Sequence, residues 1–285
     1  MLERFREIVL SDTLLNHPEI LLDLFGRHLV AVLLRIVDSP KSLSTDPNRQ
    51  IVFPCVLLCV QDKFFLLTAG HVIQQIELAL TSALFQVKSA LLVDVFGMDK
   101  VTDYPIPFEF LRAVRHNVVD DVRGLDIGLI ELDDYYVRLL KANRILPVAE
   151  VNWAHQHNIE FEQYFVLGFP LELNAGTIPI PGQAALSPVL VPVQHIDQVP
   201  DDVCRADNER FCGKLPDDMP LNFEGMSGGP IFGIRTVPRV EYWIVAIQSA
   251  WYSQRKLIVG NRVPTIGWLV SWVMDQMSKD QKAQS

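Results

Sequence analysis

From residue 28 onward the apolar positions fall into short, nearly unbroken runs, at 29–37, 51–60, 64–68, 90–96 and 127–132, separated by clusters of Pro, Asp, Asn and Lys. Runs of that length, rich in Val, Ile, Leu and Phe and bounded by turn formers, predict strands. A second set follows at 164–168, 177–180, 185–194, 229–232 and 243–249. Residues 133–158 are mixed and polar, and there the pattern places a crossing from one strand-rich unit to the next. Helical spacing occurs at the ends and once between strands. Leu2, Phe5, Ile8 and Val9 suit one short helix, and Asn16 with Pro18 supplies the start of a second, so residues 1–27 read as a helical extension. Val72, Ile76, Leu80 and Leu84 lie near one face over 72–86, and Ile266, Leu269, Val270, Val273, Met274 and Met277 form an apolar stripe over 265–277. The pattern predicts an all-β chain with units at 28–150 and 151–285, the second ending in a docked closing helix.

The composition narrows the function classes. In 285 residues with 49% hydrophobic content there is ample material for a core, while a net charge of -9 without a basic cluster excludes phosphate neutralisation as a mode of action. No nucleic acid is expected as a partner. No apolar run approaches the ~20 residues of a membrane span, and acids and arginines interrupt the first dozen residues where a secretory signal needs an apolar core. A cytoplasmic protein with no membrane association is expected. Cys55 and Cys59, four apart in one apolar run, then read as free core thiols. Cys204 and Cys212 match no zinc spacing, so neither a metal nor a cofactor is expected.

The chemistry concentrates in Glu224-Gly225-Met226-Ser227-Gly228-Gly229-Pro230, where glycines allow a turn tight enough to project one serine. A Gly-x-Ser-x-Gly turn also occurs in α/β-hydrolases, whose base follows the serine in the chain. All seven histidines precede Ser227, which excludes that order. Upstream, Thr68-Ala69-Gly70-His71 ends one apolar run and Leu125-Asp126-Ile127-Gly128-Leu129 opens another. A subtilisin-like order would need its acid before His71, and none of the aspartates there stands at such a strand start. Asp120, Asp121, Asp133 and Asp134 compete with Asp126, but none is followed by the same apolar pattern. Singly, each segment also has a bland reading as a turn or a structural residue.

Taken together, in the order His, Asp, Ser, the three segments resemble the trypsin/chymotrypsin-like serine peptidases, with Gly70 and Gly128 where that family carries other small residues. The resemblance implies two packed six-stranded antiparallel Greek-key β-barrels and a serine endopeptidase acting on a protein or peptide substrate. It implies His71 as general base and then acid, Asp126 as its buried orienter, Ser227 as nucleophile, and the N–H groups of Gly225 and Ser227 as the oxyanion hole. It places Leu221 at the floor of the specificity pocket and Ser249 and Trp251 along its wall. With no acid at that floor, a small or apolar residue before the scissile bond is expected. The alternative is a catalytically quiet scaffold of the same fold used for binding or sensing. Met226 stands where the secreted branch of the family carries an acid that receives a freed N-terminus. The expectation is that Met226 packs into the second barrel and that no N-terminal cleavage is needed. The acid-rich segment 196–220 reads either as a solvated insertion or as a substrate-selecting loop.

Overall fold

The computed structural model describes residues 18–37, 49–82, 86–94, 101–102, 104–153, 161–174, 186–197, 200, 203, 206–219, 222–235 and 241–284. Leu221, Cys204, the first expected helix and the expected strand at 177–180 lie outside these residues.

The chain enters through helix α1 (Pro18–Gly26) and strands β1 (Leu29–Val37), β2 (Arg49–Val60) and β3 (Lys63–Thr68). Helix α2 (Gly70–Thr81) leads to β4 (Gln86–Val93), β5 (Ile106–Pro107), β6 (Arg115–Asp120) and β7 (Leu125–Glu131). After α3 (Asp134–Ala142) come β8 (Gln163–Gly168), α4 (Leu171–Asn174), β9 (Val189–His195), β10 (Arg210–Lys214), β11 (Pro230–Arg235), β12 (Glu241–Tyr252), β13 (Leu257–Arg262) and α5 (Val263–Gln284). The all-β expectation holds, with two antiparallel units. The second is a closed six-stranded barrel in the order β10-β13-β12-β11-β8-β9; the first is a seven-stranded sheet in the order β5-β4-β1-β2-β3-β7-β6.

The unbroken apolar runs follow from burial on both faces. Along β1, Leu29, Ala31 and Leu33 enter one core while Val30, Val32 and Leu34 enter another, as the two-residue period of a strand requires. The second of these cores lies under α2 and takes Ile73, Ile76, Phe108 and Phe110. The first joins the two units, since it also holds Phe165, Leu167, Phe232 and Ile247 of the barrel wall together with Phe25 of α1 and Val270 of α5. A third core fills the barrel, with Val166, Val193, Phe211, Ile231 and Ile258. β5 is short because Pro107 has no N–H to offer a ladder.

Some local expectations shift. The helix expected over 72–86 ends at Thr81, and Gln86 already belongs to β4. The polar crossing contains α3, whose Val137 and Leu140 are buried. The segment 196–220 contains β10, ordered by pairing with β13 from Arg210↔Asn261 to Lys214↔Leu257. The described cysteines, Cys55, Cys59 and Cys212, are free thiols. Among the described residues no helix is long and apolar enough to cross a membrane.

Candidate active site

His71 is the second residue of α2, and two glycines let that helix lie close enough to β6 and β7 to be useful. A Cβ on Gly70 would stand 2.6 Å from the Val118 carbonyl oxygen and 3.0 Å from that of Ile127; one on Gly128 would stand 2.6 Å from Ile73 Cδ1. The close approach brings α2 onto the carboxylate at the start of β7. Asp126 Oδ1 accepts the backbone N–H of His71 at 2.8 Å, and Oδ2 lies 2.6 Å from His71 Nδ1. One carboxylate therefore takes an unpaired N–H of the first helical turn and the imidazole of the same residue. Nδ1 donates to it, so in the neutral ring Nε2 is the unprotonated nitrogen, free to take a proton.

Asp126 is itself held from the other unit. Its backbone N–H donates to Asn261 Oδ1 at 3.1 Å, and Asn261 Nδ2 donates to the Gly124 carbonyl at 2.6 Å. Asn261 is buried in β13. No motif announces it; the one signal in the sequence is a polar residue closing the apolar run Leu257–Arg262.

The serine turn is fixed from three sides. Leu171 N–H donates to Glu224 O at 2.7 Å, Gly228 N–H donates to Gln248 O at 2.8 Å, and Gln248 N–H donates to Gly229 O at 2.9 Å. Gly225 and Gly228 have φ of 89° and 92°, backbone that a side chain would strain. Met226 is fully buried among the apolar residues of the barrel interior, as expected from its side chain. Within the turn, Met226 N–H donates to Phe223 O and Gly229 N–H to Met226 O. Among the described residues the N–H groups of Gly225 and Ser227 meet no acceptor. The turn also abuts the end of β3, the strand that leads into His71, because a Cβ on Gly228 would fall 2.0 Å from Thr68 Oγ1 and 2.5 Å from the Pro54 carbonyl.

These contacts set the serine turn against the end of β3, at the seam between the units, while His71 and Asp126 meet where α2 begins. The Asp126–His71 bond is made; Ser227 makes no side-chain hydrogen bond among the described residues. Catalytic hydrogen bonds commonly tighten only once substrate is bound. Of the expected pocket residues, Trp251 is half-buried, donates from Nε1 to Asn222 Oδ1 at 3.2 Å and packs on Phe223, 5.2 Å between ring centres. Ser249 is buried, with its hydroxyl donating to Val259 O at 3.3 Å, so it is turned into the barrel wall.

No protein-family model matches the chain, and no curated protein matches it. Solved structures similar to it include the Rv3671c protease of M. tuberculosis in its active form, at 13% identity over 92% of this chain and 86% of that one, with a TM-score of 0.45. HL collagenase is similar at 16% identity over 87% and 93%, with a TM-score of 0.45. A scabies mite inactivated protease paralogue is similar at 14% identity over 90% and 96%, with a TM-score of 0.47. These likenesses are remote, and the chemistry of the seam rests on its own geometry.

Proposed function

We propose that this chain is a serine endopeptidase, with residues 28–150 carrying the base and its orienter and residues 151–285 carrying the nucleophile. A serine hydroxyl attacks an amide only when a base removes its proton. On this reading His71 Nε2 takes the Ser227 proton as Oγ bonds to the peptide carbonyl, and Asp126 stabilises the imidazolium that results. The oxygen of the tetrahedral intermediate falls to the N–H groups of Gly225 and Ser227, where one such donor typically lowers the barrier by about 2.7–4 kcal/mol. Collapse returns the proton to the leaving amine, and a water molecule repeats the sequence on the acyl-enzyme.

The observation that carries the reading is the paired hydrogen bonding of His71 to Asp126, which makes Nε2 the proton-accepting nitrogen of the neutral ring, with a serine turn bearing two free N–H groups set against the end of the strand that leads into His71. The substrate class is a protein or peptide, preferably with a small or apolar residue before the scissile bond, since the half-buried Trp251, packed on the buried Phe223, gives this side of the turn an apolar face. The free thiols support a reducing, cytoplasmic setting. A second reading, a quiet scaffold, is favoured by the hydrogen bond that Ser227 does not make. One experiment separates the two. A fluorophosphonate probe should label the intact chain at Ser227, located by mass spectrometry, and labelling should vanish in Ser227→Ala and His71→Ala. Folded wild-type chain that neither labels nor cleaves any member of a diverse peptide pool would establish the scaffold instead.

A further inference from the structure

Arg210, the first residue of β10, stands in the seam without a carboxylate partner among the described residues. Several other guanidinium groups of this acidic chain find acids: Arg115 pairs with Glu77, Arg123 with Asp120, Arg262 with Glu209, and Arg235, whose Nε, like that of Arg210, is buried without an acceptor, with Glu241. Arg210 has one contact, Nη2 to the Ser249 hydroxyl at 3.3 Å, and its Nε is buried with no acceptor. A buried donor left unbonded is costly. A missing acceptor supplied by a ligand accounts for both.

The strand pattern says where that ligand would lie. Phe211 points into the barrel, so Arg210 and Cys212 point outward. Arg210 is in register with Asn261, which holds Asp126, and its stem lies on the Gly124 turn, where a Cβ would stand 3.0 Å from Arg210 Cδ. Its guanidinium thus sits between the turn that leads into Asp126 and Ser249, the residue after the Gln248 that anchors the serine turn.

Pairing of β12 with β11 ends at Ile247↔Pro230, whereas pairing with β13 continues to Tyr252↔Leu257. Among the described residues one edge of β12 is therefore unpaired from Ser249 to Trp251, beginning at the serine turn. β12 runs away from Ser227 there, so a peptide pairing antiparallel to it runs toward Ser227, with the residues N-terminal to its scissile bond along the edge. Ala250 packs with the outward cluster of Cys212, Leu257 and Val259, and its methyl is small enough to leave Arg210 within reach of that edge.

We propose that Arg210 is a specificity residue that binds an acidic side chain of the substrate, roughly two to four residues N-terminal to the scissile bond, given ~3.3 Å of strand per residue. This inference rests on the peptidase reading of the same seam. A peptide cut by the full-length chain is remade with Glu or Gln at each of those positions in turn. At one position kcat/KM should favour Glu by about tenfold, the usual scale of a charge-assisted hydrogen bond. The ratio should fall to near one in Arg210→Met, be partly kept in Arg210→Lys, and favour a Lys peptide in Arg210→Glu, with melting curves confirming that each variant folds. A wild-type ratio near one at every position, or an unchanged ratio in Arg210→Met, would overturn the inference while leaving the peptidase standing. Should the wild-type chain prove inactive, Glu and Gln versions are made of a peptide selected from a diverse pool for binding to the full-length chain, and fluorescence anisotropy with them decides it. Tighter binding of a Glu peptide that is lost in Arg210→Met upholds the acid-binding site on a quiet scaffold, and equal binding of the Glu and Gln peptides overturns it.

Discussion

Asn261 and Asp126 meet across the seam: the Asn261 side-chain oxygen accepts the Asp126 backbone N–H at 3.1 Å, although the two residues lie on different β units. The same Asn261 amide holds Gly124 O, so one buried side chain sets the start of β7 and with it the direction of the carboxylate that orients His71. Asn261→Ala strands two backbone groups, each at a cost of about 1–3 kcal/mol where buried. The expected result is a lower melting temperature together with a fall in kcat larger than any change in KM. For comparison, Asp126→Asn should reduce kcat by about 10⁴-fold through the wrong imidazole tautomer. An Asn261→Ala chain with wild-type kcat would show that the contact positions nothing.

The glycines under α2 set a second expectation. Gly128→Ala would place a methyl 2.6 Å from Ile73 Cδ1 and 3.0 Å from the Ala69 carbonyl, and only the first of these can yield easily. The helix should tilt off β7 and lengthen the His71–Asp126 bond. Overpacking of this kind costs typically about 1–3 kcal/mol, and phosphonate labelling of Ser227 should slow by more than the stability loss implies. Equal labelling rates for the two chains would refute it.

His28 governs the acid side of stability. It is buried, with Nδ1 donating to Leu146 O at 2.6 Å and Nε2 accepting from the Tyr242 hydroxyl at 2.8 Å. Burial pushes its pKa from 6.5 down to about 4, opposed by the Leu146 hydrogen bond and reinforced by the Arg27 charge. Below 6.5 the unfolded chain takes up a proton that the folded chain refuses. Its contribution is therefore whole above 6.5, declines as the pH falls, and levels off below about 4, a total on the order of 3 kcal/mol. Urea titrations at pH 7 and pH 4.5 should show this loss in the wild type and less of it in His28→Gln. Equal losses in both chains would remove His28 from the explanation.

Gln248 is a place where the fold gives up stability. Its backbone anchors the serine turn on both sides, yet both polar atoms of its fully buried amide lack a partner among the described residues. Replacement by Met, of similar length and without those groups, should stabilise the chain by about 1–3 kcal/mol. Differential scanning calorimetry measures this directly, and a lower melting temperature in Gln248→Met would sink the idea.

The parts that were legible in the sequence share a physical cause. β1, β2 and β3 were visible because their runs are buried on both faces, so almost any fold containing them must cover them. β6, β10 and β13 were not, since RHNVVD, RFCGK and LIVGNR carry charges or a glycine and owe their strand state to the neighbours they pair with. α3 was hidden for a similar reason, with only Val137 and Leu140 buried on an otherwise polar helix.

For the site the same division holds. The serine turn was legible in the sequence, because glycine takes φ of 89° and 92° without the strain a side chain would bring, and so was the burial of the apolar Met226. The sequence also named His71 and Asp126 as candidates, from the apolar runs that one ends and the other opens and from the family resemblance those segments carry. Only the tertiary structure decided that the two would bond, that Asn261 would hold Asp126 from the other unit, and that Arg210, among the described residues, would stand without a carboxylate close to the unpaired edge of β12. Local conformation depends on the few residues around a turn. A hydrogen bond between residues far apart in the chain depends on strand register and on how closely a helix can approach a sheet, and those are set by every packed residue between them.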